Sequence, residues 1–335
     1  MKTCTAVLLF LAFSTSLLAQ KADTLKTQSK FKQKLNELPV AGKKKFKLNY
    51  NIFTSFYQIH ENPTVGWRTK MKQDASIVFD FHPVLTTTFY NNFKKRLEQK
   101  KLFGMGYYFA FRPHFRMYSK TSTPVQMPSY RIFLGLQHMY RVTDSHLVSY
   151  ALESGHYSNG QSGCAVGEGF ADQSPECDSI YATITDDSNL SEMINRTNGD
   201  FSTNLSKFTV NYRYLPKQKE NKKFRHLHSA NFGMVYYHNN FLGIVDAGGH
   251  SENAIEMYGR WRFLLAYNYT LHWNSGYRMV FAEDVEIIEG AHPFVNPLRA
   301  VTTVSFFLPR NLGLYVSYSY GHDDYNLRFV DSGHQ

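Results

Sequence analysis

The sequence predicts an all-β chain that folds as an antiparallel transmembrane β-barrel of about 12 strands. Three observations favour this fold class: an export signal, a high aromatic content, and short β-rich segments joined by links of unequal length. A soluble β-sandwich is the alternative, because it also contains alternating strands. It does not account for the export signal, the aromatic content and the unequal links together.

The first residues indicate a secretory signal. Lys2 supplies a positive charge, residues 6–18 are apolar, and Ala19 is a small residue suited to the cleavage site. An uncleaved anchor is the alternative, but the stretch is short for a spanning helix, which needs about 20 apolar residues. We expect residues 1–19 to be a signal peptide and the protein to lie in the bacterial outer membrane.

Composition and charge limit the classes of partner that the protein is expected to bind. Aromatic residues make up 16% of the chain, with 27 Phe and 23 Tyr against 3 Trp, and barrels use such residues as girdles at both membrane interfaces. The formal net charge of +10 would suit nucleic acid, but much of it lies in short basic runs at 43–45, 94–96 and 100–101. No nucleic-acid motif accompanies these runs, so we expect no nucleic-acid partner and take lipid phosphates as the counter-charge.

Two cysteines lie outside the predicted signal peptide. Cys164 and Cys177 fall in one stretch rich in Gly, Ser and Asp. In an exported chain such a pair predicts a disulfide that staples a loop. A metal site is the alternative, and it lacks an accompanying histidine pattern.

The rest of the chain divides into a lead-in and a barrel. Residues 20–45 are polar and lysine-rich, and we expect a flexible periplasmic lead-in there. The predicted barrel covers residues 46–332, without internal repeats. Its twelve β-rich segments are 46–60, 73–86, 102–119, 129–142, 146–158, 204–215, 224–240, 255–270, 276–288, 298–308, 312–320 and 324–332.

The links between these segments differ in length. The tight ones are 143–145, 274–275 and 309–311, and the long ones are 159–203, 241–254 and 289–297. If the first strand leaves the periplasm, the tight links are periplasmic and the long ones, including the loop 159–203, are extracellular, as in outer-membrane barrels. The basic link 87–101 departs from this rule, and we expect a short helix in it.

One motif carries chemistry: His156-Tyr-Ser158-Asn-Gly160, at the end of segment 146–158. Side chains alternate between the two faces of a strand. The even positions of this segment are more apolar than the odd ones, so they are expected to face lipid, and His156 and Ser158 share that face. The same arithmetic in 204–215 places Asn204 at the extracellular start of the lipid face. The three side chains are therefore predicted to converge on the outer wall.

These residue types suit ester hydrolysis. An imidazole can take the proton of a serine hydroxyl, and a third group must hold the ring in the right tautomer. Asn204 can do so without placing an unpaired charge near hydrocarbon. Backbone amides at 158–160, with or without a bound cation, can stabilise the oxyanion. The non-catalytic alternative is an interfacial histidine followed by an ordinary Ser-Asn-Gly turn.

At this point the sequence resembles the outer-membrane phospholipase A family. The segment Tyr130-Arg-Ile-Phe-Leu-Gly-Leu136, then Tyr140-Arg141 and the His156 motif, is similar to the family's strand, tight turn and catalytic strand. Leu314-Tyr315 through Tyr318-Ser-Tyr-Gly321, with Asp324-Tyr-Asn326, is similar to its last hairpin. The similarity is good over 129–214, moderate over 298–330 and poor in the N-terminal third.

The resemblance implies a function and its residues. Ser158 would be the nucleophile, His156 the general base and Asn204 the orienting residue of a calcium-dependent phospholipase A, acting on membrane glycerophospholipids as a homodimer. Asp200 stands where the family has a calcium-binding Ser, and the carbonyl of Gln161 would be a second Ca²⁺ ligand. Gln161 replaces a family Arg, and the loop before Asn204 is much longer than the family's turn. The first departure falls at the expected oxyanion and calcium arrangement.

Two other functions compete with this one. A lipid A deacylase also carries a His-x-Ser pair at a barrel rim, but it typically orients the histidine with a carboxylate. A non-catalytic barrel, either a porin or a structural protein, is the third candidate. A porin needs a wide lumen, whereas twelve strands leave room for little more than side chains.

Overall fold

A computed structural model describes residues 64–68, 77–99, 101–118, 128–217, 224–238, 240–241, 245–246, 257–309, 312–323, 325 and 332–334. The chain divides after Phe53 into two units, and every described residue belongs to the second, Thr54–Gln335. The predicted signal peptide, the predicted lead-in and the predicted strand 46–60 lie outside the described residues.

The described elements are almost all strands. The strands are β1 (Thr64–Arg68), β2 (Ile77–His82), β3 (Leu85–Asn91), β4 (Phe103–Tyr118), β5 (Ser129–Arg141), β6 (His146–Ser158), β7 (Ser202–Tyr214), β8 (Phe224–His238), β9 (Asn240–Phe241), β10 (Val245–Asp246), β11 (Gly259–Trp273), β12 (Arg278–Ala291), β13 (Leu298–Phe307), β14 (Gly313–His322) and β15 (Ser332–His334). The helices are α1 (Phe93–Glu98), α2 (Pro175–Tyr181) and α3 (Leu190–Met193). No described helix is both long and apolar enough to cross a membrane.

Thirteen of these strands form one antiparallel sheet, in the order β1-β2-β4-β5-β6-β7-β8-β11-β12-β13-β14-β15, with β3 also paired to β4. The predicted all-β antiparallel class is therefore confirmed. Most strands pair with a neighbour in the chain, because short links favour antiparallel hairpins, while β2 pairs with β4 and β8 pairs with β11. Within the described ranges no ladder joins β1 to β15, so the sheet is open as described.

The predicted segment 73–86 is wrong as a single strand. It divides into β2 and the first residues of β3, and Pro83 lies at the break, where its missing N–H cannot join a ladder. Both pieces pair with β4 in one register, Phe81 opposite Phe115 and Leu85 opposite Phe111. They therefore continue one interrupted strand along the same edge of β4.

The sheet curves strongly. β4 and β14 are eight steps apart in strand order, which in a flat sheet would separate them by about 38 Å at a spacing of about 4.8 Å. Instead, Arg116 of β4 contacts Asp323, just after β14, at 2.6 Å, and its guanidinium lies over the Tyr325 ring. The curvature encloses an inward face and leaves an outward face.

The two faces have inverted polarity. Ion-pairing side chains are buried on the inside: Asp80, Arg112, His114, Arg116, Glu153, Arg262 and Asp323. Large apolar and aromatic side chains are exposed on the outside: Leu134, Tyr150, Leu152, Phe208, Phe232 and Leu265 are among them. A water-soluble sheet shows the opposite arrangement.

The predicted asymmetry of the links is seen for the segment after β6. The expected long link 289–297 shortens to 292–297, because β12 continues to Ala291, and most of 241–254 lies outside the described residues. Short turns join β5 to β6, β11 to β12 and β13 to β14 at one end of the sheet, while residues 159–201 join β6 to β7 at the other. The basic link before β4 holds α1, as expected, although β3 takes its first residues.

The segment 159–201 is a folded cap. The predicted disulfide joins Cys164 to Cys177, and both residues are fully buried. The apolar side chains of the cap pack with Tyr157 and Tyr258 in one buried cluster. His292, from the link after β12, contacts the Thr185 carbonyl at 2.7 Å. The cap therefore lies over the enclosed end of the sheet.

Candidate active site

His156 and Asn204 face each other across β6 and β7, as partners in the antiparallel register. The His156 Nδ1 lies 3.0 Å from Oδ1, the side-chain carbonyl oxygen of Asn204. Because a carbonyl only accepts hydrogen bonds, Nδ1 carries the hydrogen and Nε2 keeps the lone pair. Asn204 is fully buried, whereas His156 is partly exposed. The ring is therefore held in the tautomer that a general base requires.

Ser158 lies on the same outward face as His156. Both side chains are partly exposed, and the residues on either side of His156, Gly155 and Tyr157, are buried. Among the described contacts no hydrogen bond joins Ser158 to His156. Catalytic hydrogen bonds are often long before substrate binds, so this spacing is compatible with a nucleophile and its base.

Ser202 is a site residue that the sequence reasoning missed. It is the register partner of Ser158, and its Oγ lies 3.4 Å from His156 Nε2. The predicted strand begins at Asn204, so Ser202 fell outside the face arithmetic. Counting two residues back from Asn204 along the strand would have found it.

The turn after Ser158 is clamped by Asn159. This buried side chain donates to the Gly199 carbonyl at 2.7 Å and accepts from the Phe201 and Gln161 amides. It thereby ties the end of β6 to the start of β7. Gly160 follows with a φ of 67°, a left-handed conformation that favours glycine. The Asn and Gly of the motif are explained by this turn.

One backbone amide of the turn is available for substrate. The Asn159 amide donates to the Phe201 carbonyl and the Gln161 amide to the Asn159 side chain. The hydrogen bonds of the described residues leave the Gly160 N–H without an acceptor. It lies two residues beyond Ser158, where the sequence predicted an oxyanion donor.

The strand behind the site is closely packed. A Cβ added to Gly155 would lie 1.8 Å from the Ile132 carbonyl oxygen, so only glycine fits between β5 and His156. Tyr157 points inward, where it accepts a hydrogen bond from Arg131 and donates one to the Tyr325 carbonyl. These contacts hold the backbone on either side of His156.

A second serine–histidine contact lies beside the site. Ser206 Oγ is 3.0 Å from His238 Nε2 and 3.2 Å from Ser154 Oγ. His238 is the register partner of Asn204 on β8. The polar patch on the outward face therefore extends from Ser158 to β8.

The predicted calcium ligands lie at the same rim. The Asp200 amide donates to the Gly163 carbonyl at 2.7 Å, which places Asp200 beside the segment that follows Gln161. No direct contact between Gln161 and Asp200 is seen. Among the described residues no three His, Cys, Asp or Glu side chains form a metal-binding group.

The structure thus brings His156, Ser158 and Asn204 to one corner of the outward face and adds Ser202 to them. Asp200 and Gln161 stand near this corner without forming a defined coordination shell. No protein-family model matches the chain, and no curated protein sequence matches it.

Proposed function

We propose that this protein is an outer-membrane phospholipase A, a calcium-dependent serine hydrolase that cleaves the acyl esters of membrane glycerophospholipids. The observation that carries the proposal is the His156–Asn204 contact with Ser158 on the same face. Most of the large side chains exposed on that face are apolar or aromatic, so the chemistry is presented to lipid rather than to an aqueous cleft.

The inverted polarity supports the membrane location. Buried charges on the inside are paired, as Glu153 is with Arg112 at 2.6 Å, so a polar interior is stable without a large aqueous lumen. Exposed leucine, phenylalanine and tyrosine on the outside are costly in water and favourable in hydrocarbon. The contact between Arg116 and Asp323 supports closure of the sheet. We infer a barrel of about 12 strands, within residues 46–332, in the bacterial outer membrane.

The substrate fits the surroundings of the site. Exposed apolar side chains adjoin His156 on β5 to β7. Ile132 is its register partner, and Leu134, Leu152 and Phe208 lie on the side of His156 away from the cap. They offer an apolar bed for acyl chains, while Ser158 stands at the rim, at the level of the headgroups. In the proposed homodimer, the acyl chains would lie in the groove between two such walls.

The proposed reaction proceeds through an acyl-enzyme. His156 Nε2 takes the proton of Ser158 as Oγ bonds to the ester carbonyl carbon. The carbonyl oxygen becomes an oxyanion that the Gly160 N–H can bind. When the ester C–O bond breaks, the lysophospholipid oxygen takes the proton from His156. Water then repeats the sequence, with His156 again as base, and fatty acid leaves.

Calcium is part of this proposal. The Asp200 carboxylate and the Gln161 carbonyl are hard oxygen donors of the type that Ca²⁺ prefers. They would supply only part of its six to eight ligands, and water and substrate oxygens would complete the shell. When bound, the cation would supply positive charge near the developing oxyanion.

The alternatives are less well supported. A lipid A deacylase typically orients its histidine with a carboxylate, whereas the group on His156 Nδ1 is the amide of Asn204. A porin needs a lumen, whereas Arg116 and Glu153 are at most 2% exposed inside the sheet.

Replacement of the nucleophile tests the proposal. We expect Ser158→Ala to reduce fatty-acid release from phospholipid vesicles by a factor on the order of 10⁴ or more, because the acyl-enzyme cannot form. Release is measured with and without Ca²⁺. Ser154→Ala, on the same strand and face, is the control and should retain activity.

Equal release by Ser158→Ala and the wild-type protein would contradict the assignment. Selective release from lipid A, with phospholipid untouched, would favour the deacylase. Leakage of small solutes without fatty acid would favour a porin.

A further inference from the structure

Two serine hydroxyls face one imidazole. Ser158 follows His156 on β6, and Ser202 lies opposite Ser158 on β7. With Nδ1 committed to Asn204, only the Nε2 lone pair remains to accept a serine proton. In this structure Ser202 occupies it, at 3.4 Å, and Ser158 does not.

We propose that Ser202 is a resting-state brake on the hydrolase: its hydroxyl holds the His156 lone pair until substrate binds and Ser158 replaces it. The inference rests on the proposed function, since it concerns the base of that reaction. It makes Ser202 a positioning residue, because it acts through His156 and not on the substrate.

The sign of its effect follows from the transition state. As Ser158 attacks, its proton moves to Nε2 along the direction that Ser202 fills in the resting site. The Ser202 bond is therefore present in the ground state and lost in the transition state. An interaction that is stronger in the ground state raises the barrier. Removing Ser202 should consequently accelerate the attack by Ser158.

The backbone supports a built-in position for Ser202. Asn159 accepts from the Phe201 amide and donates to the Gly199 carbonyl, which fixes the chain immediately before Ser202. Ser202 itself begins β7 in register with Ser158. The two hydroxyls are thus held on adjacent strands at the same height, both on the cap side of the His156–Asn204 pair.

A brake of this kind fits a lipase that lies in its own substrate. Phospholipid surrounds the outward face at all times, so substrate supply cannot limit the reaction. A hydroxyl that competes for the base lowers turnover of loosely docked lipid. The Ser202 hydroxyl leaves the His156 lone pair only when a lipid brings its ester close to Ser158.

The test uses a long-chain alkyl fluorophosphonate with the full-length protein in detergent micelles. Ser158 Oγ bonds to phosphorus, fluoride leaves, and the Ser158 proton passes to His156. The rate of adduct formation is followed by mass spectrometry, with peptide mapping of the modified serine. Saturation kinetics separate probe binding from the bond-forming step.

Ser202→Val and Ser202→Thr form a matched pair, since the two side chains have similar shapes, both suit a strand, and only threonine keeps the hydroxyl. We expect Ser202→Val to speed the bond-forming step about two- to fivefold, the effect of one long neutral hydrogen bond. Ser202→Thr should restore the wild-type rate. Ser206→Val removes a serine–histidine contact of the same kind, on the same strand and face, and should not change the rate.

A rate for Ser202→Val that equals or falls below the wild-type rate overturns the inference. So does an adduct on Ser202, which would make that residue the nucleophile. If wild type and Ser202→Val both fail to react, and no fatty acid is released from phospholipid, the proposed function fails and the brake fails with it. If the wild-type protein reacts and Ser158→Ala does not, the proposed function stands, whatever the result for Ser202→Val.

Discussion

Alternate residues of β6 meet two different environments. Glu153 points inward, is 2% exposed, and bonds to Arg112 and Tyr108. Its neighbour Leu152 points outward and is exposed. Along β6, charge is thus buried with a partner on the inward face, while Tyr150 and Leu152 are exposed on the outward face.

The candidate site lies on the outward face, and its four side chains include no carboxylate. His156, Ser158, Ser202 and Asn204 are groups that work without a fixed negative charge. A carboxylate in place of Asn204 would stabilise an imidazolium better, but an unpaired charge beside hydrocarbon is expensive. Under the proposed function, the face on which a catalytic group lies restricts which orienting residue it can use.

The largest expected effect comes from breaking the inward network. Arg116 pairs with both Asp80 and Asp323, so Arg116→Leu leaves two buried carboxylates without their guanidinium. We expect the free energy of unfolding to fall by about 3–5 kcal/mol, as when one partner of a buried ion pair is removed. Denaturant titration in detergent measures it.

Arg141→Leu is the control for this loss. Arg141 pairs with Asp144 at 3.7 Å, and the Asp144 side chain is 81% exposed. An ion pair in such a setting contributes about 1 kcal/mol or less. If both variants lose the same stability, the inward face does not have the low dielectric that its burial indicates.

The outward face is tested by a charge in the middle of a strand. Leu265 lies at the centre of β11 and is 48% exposed. In hydrocarbon, Leu265→Lys should cost about 2–4 kcal/mol, whereas in water such a surface change costs about 0.5 kcal/mol or less. Unfolding after insertion into lipid vesicles distinguishes these values.

Leu312→Lys places the same charge in the turn between β13 and β14, where Leu312 is 71% exposed. The cost there should be about 0–1 kcal/mol, as near a membrane interface. Similar small losses at both positions would indicate a soluble protein and remove the basis of the membrane proposal.

The opposite faces of β7 give a third test, with a smaller effect. Asn204→Ala removes the acceptor on His156 Nδ1, and we expect fatty-acid release to fall about 10- to 100-fold. This is less than the loss of about 10⁴ that follows when a charged orienting carboxylate is neutralised. The measurement is the turnover number at saturating phospholipid.

Asn211→Ala is its matched control on the inward face. Asn211 is buried and donates to Ser229 Oγ at 2.8 Å. Its loss should lower stability and leave the activity of the folded protein unchanged. If Asn211→Ala impairs turnover as much as Asn204→Ala does, the contact on His156 has no special role.

Strand positions with strict alternation were predictable from the sequence. The bounds predicted for β6, 146–158, agree with the structure, because one face of that strand is consistently more apolar than the other. The placement of His156 and Asn204 followed from the same period of two. The interruption at Pro83 was foreseeable from its missing N–H, although the alternating residues around it concealed the break.

The cross-strand partners were harder to predict. The period of two places Ser202 on the face of Asn204, but its position opposite Ser158 depends on the register of β6 against β7, at the point where Asn159 ties the two ends of the 159–201 cap together. That register depends on how the cap folds, with its disulfide and two short helices, and no periodic pattern encodes it. The predicted calcium ligands Asp200 and Gln161 lie at the two ends of the cap, so their placement also depends on how the cap folds. The calcium site stays a prediction.

The smallest expected effect lies at the rim, where the two faces meet. Asp200→Asn keeps the size of the side chain and removes its charge, so it should raise the Ca²⁺ concentration needed for half-maximal activity at least about tenfold. Protein stripped with a chelator is titrated with Ca²⁺ and, separately, with Mg²⁺. Asp186→Asn, an exposed acid elsewhere in the cap, should leave the titration unchanged.

If a chelator leaves wild-type activity intact, Asp200 and Gln161 hold no required cation. The oxyanion would then depend on the Gly160 amide, and His156, Ser158 and Asn204 would keep their proposed roles.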